Sequence, residues 1–249
     1  MTAHNKSMSE YFKTIGQYIK CYAGEGDAVS VRHAVEAIIP VAEKGNVEAQ
    51  LLLGRYYSWG YHDRCDNQKA IYWFEKAASN GNAEAAMLIM EIYRNDCPDK
   101  IDAARRKTLI LEWHWRWFDL LASMADKGSA DAAKSLMDLY IEDCPADIHP
   151  DEGLASAREW YDRWIKILMA KAAKGDCVDK MNLADTLLYA NCVPEELLDS
   201  FSDEDDERNL SQAIRLYKDI TNSDCDDFLK SEAYYGMGCA YNDLDEGKK

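Results

Sequence analysis

A glycine-centred motif recurs four times along the chain and restricts the kind of fold that the chain can form. It reads EKGNVEAQ around Gly45, SNGNAEAA around Gly81, DKGSADAA around Gly128 and AKGDCVDK around Gly175. An alanine stands three residues before each glycine, and a second alanine stands four residues after the first three. Spacings of 36, 47 and 47 residues between the glycines are typical of repeat proteins, whose units pack against their neighbours.

Each repeat predicts two helices. The first begins after the glycine and ends at an aromatic or leucine residue, beyond which proline or glycine interrupts the pattern. The second carries bulky aromatic residues at helical spacing, such as Trp73 with Phe74 and Trp160 with Trp164. Valine and isoleucine never alternate over a useful length, so no strand is expected. The sequence therefore predicts an all-α fold.

The repeats divide the chain into about five antiparallel helix pairs and a closing half. We expect a single domain over residues 1–249 whose approximate units are 7–44, 45–80, 81–127, 128–174, 175–222 and a partial unit 229–249. Stacked units of this kind bury a continuous core. The repeated alanines and aromatic residues are therefore assigned to packing.

The net charge of the chain limits the kinds of molecule that it is expected to bind. There are 45 Asp and Glu residues against 29 Lys and Arg, a net charge of -16, while 47% hydrophobic residues suffice for a folded core. Nucleic acids and anionic membranes attract basic proteins, so both are disfavoured as partners. The sequence shows no leader and no run of 18 apolar residues. We expect a cytoplasmic protein, with an exported protein whose leader was removed as the alternative.

The stretch AQLLLGRYYSWG followed by QKAIYWFEKAASNGNAEA, from Ala49 to Ala85, resembles the Sel1-like repeat, a relative of the tetratricopeptide repeat. The resemblance implies a right-handed α/α superhelix of stacked helix pairs. It also implies a noncatalytic adaptor for protein partners, of the bacterial type that acts in signalling, stress responses or contact with host cells, including virulence. Cysteine-rich relatives imply the alternative, an enzyme or binder of β-lactam-type ligands.

The sequence lacks the motifs typical of an enzyme, such as a nucleophile elbow or a phosphate-binding glycine loop. Its closest approach to a metal site is the group His62, Asp63, Cys65 and Asp66 between two predicted helices. Structural zinc prefers paired cysteine or histidine ligands, so an ordinary polar turn is the better interpretation. We expect neither catalysis nor a bound metal or other cofactor.

Cys97, Cys144 and Cys192 occupy equivalent places, each at the end of a predicted first helix. The resemblance to cysteine-rich repeat proteins suggests a disulfide within each unit, but the second helices contain no partner cysteine. Equivalent residues of stacked helices lie about 8–10 Å apart, beyond the range of a disulfide. Free, mostly packed thiols are therefore expected, and these favour a reducing compartment.

The acidic run FSDEDDER, residues 201–208, lies between the predicted helices of the last full unit. Such a run suggests a cation site or a dock for a basic peptide. It lacks the glycine and the alternating ligands of an EF-hand loop. A solvated loop is therefore the preferred interpretation.

Three tryptophans at alternate positions, Trp113, Trp115 and Trp117, divide between two faces of one helix. Trp113 and Trp117 match Trp160 and Trp164 of the following unit, so these four are predicted to be core. Trp115 points elsewhere and is a candidate for a surface contact, a dimer interface or a ligand site, with an extra packing role as an equal alternative. The two tryptophan-bearing helices also suggest a possible homodimer.

The first helices are predicted to expose one common face. At about 100° per residue, the third and tenth residues after each glycine lie opposite the packing positions. Solenoids of helix pairs bind partners on this concave face. The candidate partner-binding residues are Glu48, Arg55, Trp59, Glu84, Glu91, Asp131, Asp138, Asp185 and Tyr189. These acidic and aromatic residues favour a basic protein or peptide partner, and an acidic solvated surface without function is the equal alternative.

Overall fold

The computed structural model describes residues 28–59, 65–95, 101–188 and 203–246, and within these ranges the chain forms ten helices and no strand. In chain order they are α1 (Ala28–Glu43), α2 (Val47–Trp59), α3 (Asn67–Ser79), α4 (Ala83–Asn95), α5 (Ala103–Asp126), α6 (Ala130–Glu142), α7 (Pro150–Ala172), α8 (Cys177–Leu188), α9 (Asp203–Thr221) and α10 (Asp227–Glu246). The all-α prediction is confirmed for this part of the chain.

The chain divides into two compact units, residues 1–120 and residues 121–249, with the boundary inside α5. In the first unit, α1 packs on α2, α2 on α3 and α3 on α4. In the second unit, α6 packs on α7, α7 on α8, and α8, α9 and α10 on one another. Helices joined by short connections pack antiparallel to their neighbours. Each unit is therefore built from helical hairpins.

The repeated glycine ends a helix in the first three repeats. Gly45, Gly81 and Gly128 have φ angles of 91°, 91° and 90°, in the left-handed region that glycine tolerates best. In each turn the glycine N–H donates to the carbonyl three residues before it. The next N–H donates to the carbonyl five residues before it. This is the Schellman arrangement, which satisfies carbonyl groups that a helix end leaves unpaired.

The residue after each of these glycines starts the following helix. Asn46, Asn82 and Ser129 each accept, through a side-chain oxygen, a hydrogen bond from the backbone N–H three residues later, at 2.8, 2.7 and 3.2 Å. Each N–H belongs to the repeated alanine, which is buried in all three repeats. The turn therefore ends one helix, begins the next and fixes which residue of the new helix enters the core.

The fourth glycine turn differs from the others. The N–H of Gly175 donates to the carbonyl of Lys171, four residues before it, at 2.6 Å. Asp176 then caps α8 by accepting from the N–H groups of Val178 and Asp179 at 2.9 and 3.2 Å. Asp179 is the residue that interrupts the alanine pattern of the sequence. The change of residue and the change of turn thus occur together.

Gly54 lets α2 and α3 approach closely. The ring of Phe74 on α3 lies against the backbone at Gly54, so a Cβ at this position would overlap the ring. Phe74 is fully buried, together with Ala70 and Ala77 on the same helix. A small residue opposite an aromatic ring therefore sets the distance between these two helices.

A similar contact joins α9 and α10 in the second unit. The ring of Tyr217 on α9 lies against Gly236 of α10, where a Cβ would overlap it. By its spacing from Ala233, Gly238 rather than Gly236 is the counterpart of Gly54, yet no atom lies within 4 Å of the position that its Cβ would take. The packing glycine has therefore shifted by two residues, and Gly238 is left exposed.

The acidic run was predicted to lie in a loop, and this prediction is wrong. α9 begins at Asp203, so residues 203–208 form its first turns. Acidic residues stabilise the N-terminal end of a helix, because the helix dipole is positive there. The acidic run is therefore better interpreted as the start of a helix than as a solvated loop.

One disulfide joins two cysteines outside the three for which free thiols are predicted. Cys177, at the start of α8, forms a disulfide with Cys225, in the turn between α9 and α10, and their Cα atoms are 6.4 Å apart. Helix axes are too far apart for such a bond, but the turns at neighbouring helix ends approach within its range. The sequence separation of 48 residues is close to the repeat period of 47, a signal that the sequence contains.

Cys144 is a free, partly buried thiol, as predicted. Cys65 and Cys239 are free thiols as well. Cys97 and Cys192 lie outside the described residues. Because one disulfide is present, cysteine usage no longer favours a reducing compartment.

Candidate interaction face

An ion pair links two helices that carry predicted binding residues in the first unit. The guanidinium of Arg55 on α2 donates to the carboxylate of Glu84 on α4. Both side chains are partly exposed, so the pair contributes about 1 kcal/mol or less to stability. The pair also shows that the exposed sides of α2 and α4, two neighbouring first helices, lie next to each other.

Glu48 and Glu91 extend this surface on either side of the ion pair. Glu48 lies two turns before Arg55 on α2, Glu91 lies two turns after Glu84 on α4, and both are exposed. Trp59, one turn after Arg55, is 50% exposed. We name Glu48, Arg55, Trp59, Glu84 and Glu91 the acidic-aromatic face. It combines three carboxylates, one guanidinium and one indole.

The corresponding residues of the second unit form a less negative surface than the sequence predicts. Asp131 is exposed at the start of α6. Asp138, two turns later, pairs with Lys134 of the same helix, with 2.7 Å between Oδ2 and Nζ. Lys134 also lies over the ring of Trp164, 5.7 Å from its centroid. A lysine that the repeat pattern did not single out therefore offsets one of the two carboxylates.

Asp185 on α8 takes part in packing within the second unit. Tyr217 of α9 donates its hydroxyl hydrogen to Oδ1 of Asp185 at 2.7 Å. Burial raises the pKa of the Asp185 carboxyl, the hydrogen bond from Tyr217 lowers it, and the charge of Glu232 adds a smaller rise. Asp185 is thus half-buried rather than a fully exposed face residue. Tyr189, the other candidate near it, lies outside the described residues.

A comparison with protein families matches residues 47–82 to the Sel1 repeat. These residues include α2, α3 and the Schellman turn at Gly81. The chain contains a Sel1 repeat. A Sel1-like repeat is what the sequence predicts for this stretch, and proteins with Sel1 repeats are generally scaffolds for protein–protein interaction.

Several solved structures are similar to this chain. One is a Sel1 repeat protein from Oxalobacter formigenes, 21% identical, with 90% of this chain and 78% of that chain covered at a TM-score of 0.39. Another is a protective antigen present in uropathogenic Escherichia coli strains that displays an SLR fold. It is 14% identical, with 95% of this chain and 59% of that chain covered at a TM-score of 0.36. No curated protein matches the chain.

Most tryptophans of the chain serve packing. Those predicted to be core are buried or packed against the core: Trp113, Trp117, Trp160 and Trp164. Trp115 is partly buried, with its ring 5.8 Å from that of Phe118 at 64°. The aromatic rings proposed for a homodimer contact therefore mostly fill their own units, and the packing does not support a dimer there.

Neither a metal cluster nor a membrane span is found where the structure can be described. No group of three or more His, Cys, Asp or Glu side chains is arranged there to hold a metal ion. His62 and Asp63 of the candidate metal group lie outside the described residues. Asp66 caps α3, accepting from the N–H of Lys69 at 3.0 Å and pairing with its Nζ at 2.9 Å, which lowers the pKa of Asp66. None of the described helices is long and apolar enough to cross a membrane.

The repeat pattern does not predict one exposed surface of the second unit. It lies on α10 and includes Phe228, Tyr234 and Tyr235. The signal is present in the sequence, because aromatic residues of this helix recur at seven-residue intervals. In earlier helices, aromatic residues at helical spacing occupy core positions. Such spacing therefore does not distinguish a buried row of residues from an exposed one.

Proposed function

We propose that this protein is a noncatalytic scaffold that binds a basic segment of another protein on the acidic-aromatic face. The observation that carries the proposal is the Arg55–Glu84 pair, which joins α2 to α4 and leaves Glu48 and Glu91 exposed on either side. A bound segment with two separated basic residues reaches both carboxylates. Because Arg55 already neutralises Glu84, an unbroken run of lysines is a poorer match.

The charge of the chain supports a basic partner. A net charge of -16 attracts basic segments over a distance and speeds their association, with a strong dependence on salt. Charged residues at the edge of an interface contribute more to the rate and specificity of binding than to affinity. Affinity therefore requires an apolar contact as well.

Trp59 supplies that apolar contact. It is 50% exposed and lies one turn beyond Arg55 on the same helix. Exposed tryptophans are frequent anchors of protein interfaces, and an indole ring also attracts the cationic groups of lysine and arginine. The proposed partner segment thus carries an apolar or cationic side chain close to its basic residues.

The family resemblance suggests where such a scaffold acts. We propose an adaptor role in bacterial signalling, stress response or contact with host cells. The Cys177–Cys225 disulfide favours an exported protein over a cytoplasmic one, because disulfides persist in oxidising compartments.

The double variant Glu48→Lys/Glu91→Lys tests the proposed face. Both residues are exposed and lie outside the Arg55–Glu84 pair, so their replacement leaves that contact between α2 and α4 intact. The probe is a synthetic peptide rich in lysine and arginine with one phenylalanine, titrated into the protein by calorimetry. We expect the Kd to rise roughly tenfold or more, because two attractions become repulsions.

A matched control separates the face from net charge. Glu36→Lys/Asp119→Lys makes the same change in charge at exposed positions of α1 and α5, two helices that carry no residue of the face. We expect this control to bind the peptide nearly as well as the wild type. Equal weakening by both double variants would show attraction to the whole chain rather than to a site, and would contradict the proposal.

A further inference from the structure

α10 exposes a row of mostly uncharged residues along one side, and at the edge of this row the ring centroid of Tyr241 lies 5.5 Å from Nζ of Lys218 on α9. The opposite side of α10 is buried in the second unit through Ala233, Gly236 and Ala240. The exposed residues recur every seven positions, about two helical turns. They are Asp227, Phe228, Ser231, Tyr234, Tyr235, Gly238, Tyr241 and Asn242, which we name the α10 face.

The α10 face is large enough for an interface. Its four aromatic side chains are 73% (Phe228), 59% (Tyr234), 69% (Tyr235) and 45% (Tyr241) exposed. At about 200 Å² for each aromatic side chain, they offer roughly 500 Å² in one copy. Two such faces in contact bury roughly 1,000 Å², the lower limit for a stable interface. An exposed row of aromatic side chains of this size indicates a contact surface.

Gly238 gives this face a place for an aromatic ring. No atom lies within 4 Å of the position that a Cβ would take there. In the first unit its counterpart by spacing, Gly54, is covered by the ring of Phe74 from a neighbouring helix. The α10 face is therefore open at a type of position that accepts an aromatic side chain elsewhere in the same chain.

We propose that α10 pairs antiparallel with α10 of a second copy of this chain, with Tyr235 of each copy packed on Gly238 of the other. The midpoint of α10 lies between residues 236 and 237, so Tyr235 and Gly238 are equally distant from it. A two-fold axis at this midpoint brings each tyrosine opposite the other copy's glycine. The face is thus complementary to itself.

Charge is confined to one end of the α10 face. The chain carries a net charge of -16, yet within the face only Asp227, the first residue of α10, is charged. The residues of the face from Phe228 to Asn242 are uncharged, so a basic partner finds a single carboxylate at the edge. Two identical copies meet no like charges at the centre of the contact, which lowers the main obstacle to self-association of an acidic chain.

The variant Gly238→Lys tests the pairing. Lysine is a better helix former than glycine, and the position is open in the monomer, so the variant folds at least as well as the wild type. Its side chain occupies the space that Tyr235 of the second copy needs. In sedimentation velocity over a series of concentrations, we expect a wild-type dimer and a rise of roughly tenfold or more in the dimer Kd for the variant.

Two further variants locate the contact. Tyr235→Glu introduces a charge into the face and is expected to give a monomer, whereas Asp243→Lys changes an exposed residue on another side of α10 and is expected to dimerise like the wild type. A wild-type monomer at concentrations up to about 1 mM would overturn the proposal. Dimers of unchanged Kd in Gly238→Lys and Tyr235→Glu would also overturn it, since the contact would then lie elsewhere.

Discussion

Gly54 and Asp185 show, at the scale of single residues, how neighbouring helices are held together. Gly54 accepts the ring of Phe74, and Asp185 accepts the hydroxyl hydrogen of Tyr217. In both contacts a first helix offers a small or polar site, and the second helix of the pair fills it with an aromatic side chain. The aromatic residues that mark second helices in the sequence therefore fix the approach of the two helices.

Replacing Gly54 with alanine tests the close approach of α2 and α3. Gly54→Ala forces its Cβ into the ring of Phe74, a strain of about 1–3 kcal/mol that the better helix propensity of alanine only partly offsets. We expect a lower free energy of unfolding in urea. In a Phe74→Leu background the same change should cost less, because the shorter side chain leaves room. Equal costs in the two backgrounds would contradict this contact.

Asp185 makes stability depend on pH. Its pKa is raised in the folded protein by burial, so the folded state holds its proton more tightly than the unfolded chain, in which the pKa is about 3.9. Stability therefore falls as pH rises from about 3.9 through the raised value, and the cost persists at neutral pH. Asp185→Asn removes the titration and keeps an oxygen that accepts from Tyr217.

We therefore expect Asp185→Asn to be more stable than the wild type at pH 7, with a difference that shrinks as pH falls toward about 4. Urea unfolding across this pH range measures the difference. Asp219→Asn, at an exposed position of α9, serves as the control and should show little change. A loss of stability in Asp185→Asn that grows as pH rises from about 4 to 7 would show that the carboxylate is needed as an ion, and would contradict this account.

At the scale of helices and turns, the glycine motif predicts where helices end and begin. The sequences of the other connections predict these boundaries poorly. Gly45, Gly81 and Gly128 each end one helix and start the next, so their spacing gives the order of the helices directly. The acidic run at 201–208 has no comparable marker, and its composition fits both a solvated loop and a helix start. Side-chain types alone do not decide between these two, because the deciding factor is where the helix begins.

The disulfide between Cys177 and Cys225 connects two helix ends and contributes measurably to the stability of the fold. It joins the start of α8 to the turn before α10 and closes a segment with a sequence separation of 48 residues. Restricting the unfolded chain in this way stabilises the fold by roughly 2–4 kcal/mol. We expect Cys177→Ser/Cys225→Ser to unfold at lower urea concentration than the wild type under oxidising conditions.

Reduction provides a second measurement of the same bond. A reducing agent should lower the unfolding midpoint of the wild type and leave that of the double serine variant unchanged. Cys65→Ser, at an exposed free thiol, is the control and should behave as the wild type in both conditions. An identical midpoint for oxidised and reduced wild type would contradict a stabilising disulfide.

At the scale of the whole molecule, periodicity predicts the class of fold better than it predicts the binding surface. Angular position assigns Glu48 and Glu91 to an exposed side, and they are exposed. It does not reveal that Arg55 pairs with Glu84 or that Lys134 offsets Asp138, because these contacts depend on the offset between helices and on side-chain rotamers. The α10 face was missed for a related reason, since periodicity identifies an apolar row but not whether another helix covers it.

Binding of a basic segment on the acidic-aromatic face is the property on which the proposed function depends. Nuclear magnetic resonance of isotope-labelled protein, titrated with the lysine- and arginine-rich peptide to saturation, tests it most directly. The proposal predicts that the largest shifts arise at the indole N–H of Trp59 and at the backbone amides around Glu48, Arg55 and Glu91. Shifts confined to second helices such as α3 and α5, or no saturable shift at all, would contradict it.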